Sequence, residues 1–215
     1  MSHTAVADFL LLDSGASFSE QTVRDGQNDL NTKVLDQYDF ASYDLLGVGH
    51  KFLVMDEFID QELMAEEKER IQAFLDQGNI LFFSGHLFRY WIPGASLFVP
   101  KTIHSYRDYR VTVLDHPIFE GVLSDDITYN KGVAGFFSRG HHPIPDGAEV
   151  LLRLAGDEPI TYIDRLSSRG TIVVHAGRNL LKYRHKTNSA GRIGEQFQRF
   201  LYEEHQTLHQ RRAQR

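Results

Sequence analysis

Four polar residues stand directly behind short apolar runs. Asp13 follows Phe9-Leu10-Leu11-Leu12, His50 follows residues 43–49, His86 follows residues 80–85, and His175 follows Thr171-Ile172-Val173-Val174. An apolar run of this length closed by a turn signal reads as a buried strand. In an open parallel sheet, ligands sit beyond the carboxyl ends of the strands. Neighbouring strands would therefore bring these four side chains onto one rim. Three imidazoles, His50, His86 and His175, beside one carboxylate suit a divalent metal such as zinc, with a position left for water. The candidate ligands lie on separate segments, without HxH or HExxH spacing, and strand-end histidines also serve as hydrogen-bonded loop residues. The sequence requires no cofactor, and a divalent metal is the weaker alternative.

Two further arrangements use the same rim. Ser84 could act as a nucleophile, with His175 as base and Asp13 or Asp56 orienting it, on a sharp turn whose amides face an oxyanion. The G-x-S-x-G spacing is missing, however, because Phe83 precedes Ser84 and only Gly85 is at hand. Ser84 reads equally as a turn or N-cap residue. His86 and His175 could also work as an acid and base pair, since imidazole titrates near neutrality. The other arrangement is a polar-aromatic pocket. Arg89, Tyr90 and Trp91 follow His86, and Tyr129 with Asn130 comes from a second segment. Aromatic faces beside guanidinium and amide groups hold sugars and other small polar ligands. Asp13 and His50 would complete that ligand-binding set. Tyr90 and Trp91 read equally as core beneath a long loop. His141 and His142 are adjacent, so in an extended strand they point to opposite faces and make no joint metal site.

The elements that must position these residues follow from patterning. Residues 9–12 and 43–49 read as strands, and residues 17–31 stay unassigned. Between 60 and 76, Leu63, Met64, Ile71, Phe74 and Leu75 recur at helical spacing, and Gly78 ends the helix. Ile80-Leu81-Phe82-Phe83 follows at once, giving strand, helix, strand, the signature of a parallel sheet. Residues 87–108 are a long aromatic loop. Residues 109–114 alternate like an edge strand, 148–152 form another strand, and 160–163 pair with 171–174 through a turn at Arg169-Gly170. Ile193, Phe197, Phe200, Leu201 and Leu208 make one stripe of a terminal helix, either docked on the sheet or available to a second copy.

Bulk composition narrows the classes. A chain of 215 residues with 41% hydrophobic and 12% aromatic residues can fill a substantial core. A net charge of −6 argues against a nucleic-acid partner. The cluster Arg211, Arg212 and Arg215 reads as a solvated tail. Cysteine is absent, which excludes disulfides, thiolate ligands and a cysteine nucleophile, and fits a reducing cytoplasm. No apolar stretch approaches the ~18 residues that a membrane span needs.

Three stretches, taken in order, resemble a known family. YDLLGVG at 43–49 precedes a helix ending in FLDQGN, and ILFFSGH at 80–86 stands at a strand end. HPIFEGV, DDITYN, PDGAEVLL, EPITYID and RGTIVVHAGRN then follow between 116 and 179. This order resembles the class I glutamine amidotransferase superfamily, and within it the trehalose-utilisation (ThuA-like) branch. The resemblance implies an α/β, flavodoxin-like three-layer sandwich, a mostly parallel sheet flanked by helices with its crevice at the strand carboxyl ends. In that family the elbow carries a cysteine and the last strand delivers His-x-Glu. Here the elbow reads Ser84-Gly85-His86, and the last strand delivers His175-Ala176-Gly177. Glutaminase chemistry needs a thiolate, so it is excluded.

The expectation is a single amidotransferase-like domain over residues 1–215, with a C-terminal helix and tail. It would be a cytoplasmic, non-catalytic scaffold binding a small polar ligand or a protein partner, with no membrane or nucleic-acid contact. Self-association through the C-terminal helix is open. The alternative is a carbohydrate-related isomerase or hydrolase using the strand-end histidines.

Overall fold

A computed structural model describes residues 6–16, 30–129, 132–135 and 137–214. Most of the unassigned stretch 17–31 lies outside them, as do Asn130 and Arg215. The strands are β1 (Phe9–Asp13), β2 (Thr32–Asp36), β3 (Phe52–Met55), β4 (Ile80–Ser84), β5 (Val99–Pro100), β6 (Val111–Val113), β7 (Gly140–His141), β8 (Glu149–Leu154), β9 (Glu158–Asp164) and β10 (Thr171–His175). Eight of them form one sheet in the order β2-β1-β3-β4-β10-β9-β8-β6, and β5 pairs with β7 apart from it. The first five in that order run parallel, and β9, β8 and β6 extend the sheet by antiparallel pairing.

The central strands are apolar because both of their faces are covered. Every residue of β3, β4 and β10 is buried. Successive side chains alternate between two cores. Phe52, Val54, Ile80, Phe82 and Val173 point into one, and Leu53, Met55, Leu81, Phe83 and Val174 into the other. The helices are α1 (Leu45–Val48), α2 (Gln61–Glu66), α3 (Lys68–Asp76), α4 (Ser124–Thr128) and α5 (Arg192–Ala213). Helix α5 closes the first core with Ile193, Phe197 and Leu201, its Phe197 ring meeting Phe82 edge-on at 4.6 Å. Leu45, Met64, Ile71 and Phe74 of α1–α3 close the second, together with Trp91. The architecture is thus the expected three-layer α/β sandwich, with the terminal helix docked on the sheet.

Local chemistry sets the element ends. The Asp60 carboxylate accepts from the backbone N–H groups of Glu62 and Leu63 at 3.0 and 3.2 Å, starting α2. Gly78, at φ +88°, ends the segment that follows α3. The basic C-terminus is more than a solvated tail, since Arg212 donates to the Asp76 carbonyl at 2.8 Å. No helix among the described residues is long and apolar enough to cross a membrane.

One expected strand is a helix. Residues 45–48 form α1, with the Asp44 carboxylate accepting from Gly47 N–H at 3.0 Å and Gly49 closing the turn at φ +94°. The strand begins three residues later, at Phe52. His50 therefore precedes β3 instead of following a strand, and it lies at the amino end of the parallel strands, opposite the proposed rim.

Candidate functional site

Strand register assembles a polar rung at the carboxyl end of the sheet. Ser84 of β4 pairs with His175 of β10, and His175 pairs in turn with Thr161 of β9. Met55 pairs with Phe83, so Asp56, one residue on, stands beside Ser84. Asp56, Ser84, His175 and Thr161 thus span four adjacent strands on the face that carries Phe82. All four are buried, Ser84, His175 and Thr161 completely.

Each member of the rung is committed to a neighbour, as buried polar groups must be. Ser84 Oγ donates to Asp56 Oδ1 at 3.3 Å, and Asn179 Nδ2 donates to the same oxygen at 2.7 Å. Lys182 Nζ neutralises Asp56 through Oδ2 at 2.9 Å. Asn179 also starts the short helix Leu180–His185 by accepting from Leu181 N–H at 2.9 Å, and this helix carries Lys182 to the carboxylate. The His175 ring bonds Thr161 Oγ1 through Nδ1 at 2.7 Å. Its Nε2 is buried and unpaired, and Phe137 meets the ring edge-on at 5.0 Å. Burial, helped by the nearby His142, lowers the His175 pKa to about 3, so the ring is neutral at pH 7. No hydrogen bond joins Ser84 to His175.

The turn after β4 departs further from a nucleophile elbow, which mounts its nucleophile on a strained strand-to-helix turn. Here the strained position belongs to Gly85, at φ +133°, and a Cβ built there would stand 2.6 Å from the Glu57 Cα. Glu57 backbone therefore fills the space that any side chain at this position would need. The Gly85 N–H is spent on the His175 carbonyl at 2.9 Å. No helix follows, because residues 85–98 run as irregular chain. Glu57 itself is unusual. Burial raises its carboxyl pKa, against the pull of Lys182, and Oε2 is buried without a hydrogen-bond partner.

The loop beyond the elbow is held by one amide and two histidines. Gln61 Nε2 donates to the His86 carbonyl at 2.7 Å, while Gln61 Oε1 accepts from Phe88 and Arg89 N–H at 2.7 and 3.3 Å. His86 stacks on Phe98 with ring centroids 3.7 Å apart, and burial lowers its pKa. His142 Nε2 accepts from Leu87 N–H at 3.1 Å, and burial, with His86 nearby, lowers the His142 pKa to about 3.

The remaining candidates separate. His50 bonds the Ala7 carbonyl at 2.5 Å and the Tyr43 hydroxyl at 2.6 Å, as a structural histidine of the amino edge. Without it the three-histidine set has no common centre. Among the described residues no group of three His, Cys, Asp or Glu side chains could hold a metal ion. Asp13 ends β1 and accepts from Gly15 N–H at 3.0 Å. Arg89 forms an exposed ion pair with Glu62 at 2.6 Å. Trp91 is core, meeting Phe83 edge-on at 5.3 Å, whereas the Tyr90 ring is 69% exposed. Tyr129 ends α4 beside β6, with three strands between it and the elbow strand. Sequence reading passed over Glu57, Thr161, Asn179, Lys182 and Gln61. The polar pair Asp56-Glu57 directly behind Phe52-Leu53-Val54-Met55 is the sequence signal that marks this strand end.

The sheet order and the buried strand-end rung define a three-layer α/β protein whose fourth strand ends on a buried serine. No protein-family profile matches the chain, and no curated protein does. Among solved structures, it is similar to a protein from Thermoplasma acidophilum that is assigned as one of the subunits of GMP synthase. That likeness covers 91% of this chain and 94% of the other, at TM-score 0.55 and 17% identity. It is also similar to the cold-adapted β-galactosidase from Rahnella sp. R3, over 92% of this chain, at TM-score 0.52 and 15% identity. The match takes in 31% of that enzyme's length. At these identities the likeness is one of fold.

Proposed function

We propose that the chain is a single non-catalytic domain of the amidotransferase-like fold, nearest the ThuA-like branch, which binds a small polar ligand or a protein partner. The observation that carries this reading is the elbow. Its strained residue is glycine, its Cβ space is taken by Glu57 backbone, and the neighbouring serine is buried against Asp56. The fold likeness to the Thermoplasma GMP synthase protein supports the scaffold, and the absence of cysteine supports loss of the amide-cleaving step. A cytoplasmic setting belongs to the same proposal.

The alternative enzyme reading has one point in its favour. Glu57, with a raised pKa and an unpaired oxygen, has the perturbed character of an acid–base group. One experiment separates the two. Purified protein is incubated with glutamine, nitrophenyl esters and nitrophenyl glycosides, beside Ser84→Ala, His175→Asn and Glu57→Gln variants. The binding reading expects no turnover that any of these variants removes. Product formation abolished by one of them would overturn it. A thermal-shift screen against sugars, sugar phosphates and amino acids then identifies the ligand class, because binding to the folded state raises the melting temperature.

A further inference from the structure

The amino edge of the sheet carries a second cluster of polar side chains, far from the strand-end rung. Toward its carboxyl end, α5 reads His205-Gln206-Thr207-Leu208-His209. Residues four apart on an α-helix lie one above the other on the same face. The two imidazole rings stand with centroids 4.3 Å apart and planes 40° from parallel. Among the described residues they are the one pair of histidine rings in contact with each other. His205 is half-buried and fixed by its surroundings. Its ring meets Phe52, the first residue of β3, at 5.8 Å, and its Nε2 faces Asn79 Oδ1, just ahead of β4, at 3.4 Å. An amide oxygen only accepts, so Nε2 carries the proton and the lone pair of His205 lies on Nδ1. Among the described residues that Nδ1 has no hydrogen-bond partner, and neither nitrogen of the exposed His209 has one.

We propose that His205 and His209 form a two-histidine chelate for a late first-row divalent ion such as Zn²⁺. The site is independent of the ligand reading above. Imidazole suits zinc, nickel and copper, whereas Mg²⁺ and Ca²⁺ take oxygen ligands. A ligating histidine donates its other ring N–H to an outer acceptor, which sets the tautomer and holds the ring. Asn79 fills that place for His205. His209 is exposed, so its ring can turn a nitrogen toward Nδ1 at little cost. The charged groups beside His205 are Lys51 and Asp8, and they neutralise each other in an ion pair at 2.7 Å. The same spacing supplies two zinc ligands in the H-E-x-x-H helix, where the glutamate serves as general base. Here Gln206 stands at that position, and an amide takes no proton, so the helix offers two ligands without a base. Two rings are one short of the three-ligand centre excluded above, and water completes the coordination.

The full chain is titrated with Zn²⁺ and, separately, with Mg²⁺, and followed by thermal shift and by the imidazole nitrogen resonances of its 11 histidines. Zn²⁺ should raise the melting temperature, because it binds the folded state, and should shift the resonances of His205 and His209 together. Mg²⁺ should do neither. His209→Ala removes an exposed ring, so the free protein should melt unchanged, but loss of the chelate should weaken Zn²⁺ binding about a hundredfold. Asn79→Ala should weaken it about tenfold through the outer acceptor. His104→Ala, an exposed histidine elsewhere, should leave it unchanged. Zn²⁺ binding that survives His209→Ala, resonance shifts confined to other histidines, or an equal response to Mg²⁺ overturns the proposal. So does a protein that ignores Zn²⁺ altogether, and none of these results touches the binding-domain reading.

Discussion

Replacing Gly85 by alanine tests the elbow directly. Two costs combine at this position. At φ +133° an L-residue is strained, by about 1–2 kcal/mol. The new methyl would also stand 2.6 Å from the Glu57 Cα and 2.9 Å from its Cβ. Backbone cannot swing aside as a side-chain tip does, so this overpacking adds about 1–3 kcal/mol. The sum, centred at ~3.5 kcal/mol, corresponds to a melting temperature lower by about 7–14 °C for a domain of this size. Gly49 supplies the control, since it has φ +94° with nothing within 4 Å of a Cβ there. Gly49→Ala therefore isolates the strain, and the difference between the two variants isolates the collision. Urea unfolding at pH 7 measures both. If Gly85→Ala unfolds at the same urea concentration as Gly49→Ala, the Glu57 backbone does not block the elbow, and a nucleophile could be accommodated there. Gly85→Cys should likewise destabilise the fold, without creating glutaminase activity.

Two further outcomes follow from the buried groups. His142 and His175 have pKa values lowered to about 3 by burial, against the ordinary 6.5. The unfolded chain therefore binds more protons between those values, and stability is full above pH 6.5 and falls as the pH drops toward 3. The limiting slope for the pair is about 2.7 kcal/mol per pH unit. Urea midpoints at pH 7, 6 and 5 should decline, less steeply in His142→Leu; equal midpoints would show that the rings titrate normally. Asp56→Ala strips the partner from Lys182 and an acceptor from Asn179 and Ser84, and should cost about 3 kcal/mol. An unchanged urea midpoint would mean that the rung adds no stability.

Pattern reading succeeded where runs were long or turn chemistry was explicit. The Ile80-Leu81-Phe82-Phe83 strand behind a helix and Gly78, the antiparallel pair 160–163 with 171–174, the edge strand at 109–114 and the docked terminal helix all stand as expected. It failed at residues 43–49. A short apolar run carries too little periodicity to separate strand from helix. The Asp44 carboxylate on Gly47 N–H and the left-handed Gly49 decided for helix. That local choice moved His50 to the other edge of the sheet and dissolved the shared rim.

By itself, the sequence determined the α/β class, the buried strands and the absence of any thiol, because composition and hydrophobic period act locally along the chain. Only the tertiary structure decided the chemistry. Whether Ser84 faces solvent or Asp56, whether His175 keeps a proton, and whether Gly85 has room for a side chain all depend on which strand lies alongside. Those contacts join residues as far apart as Asp56 and Asn179, and a linear pattern holds no record of them.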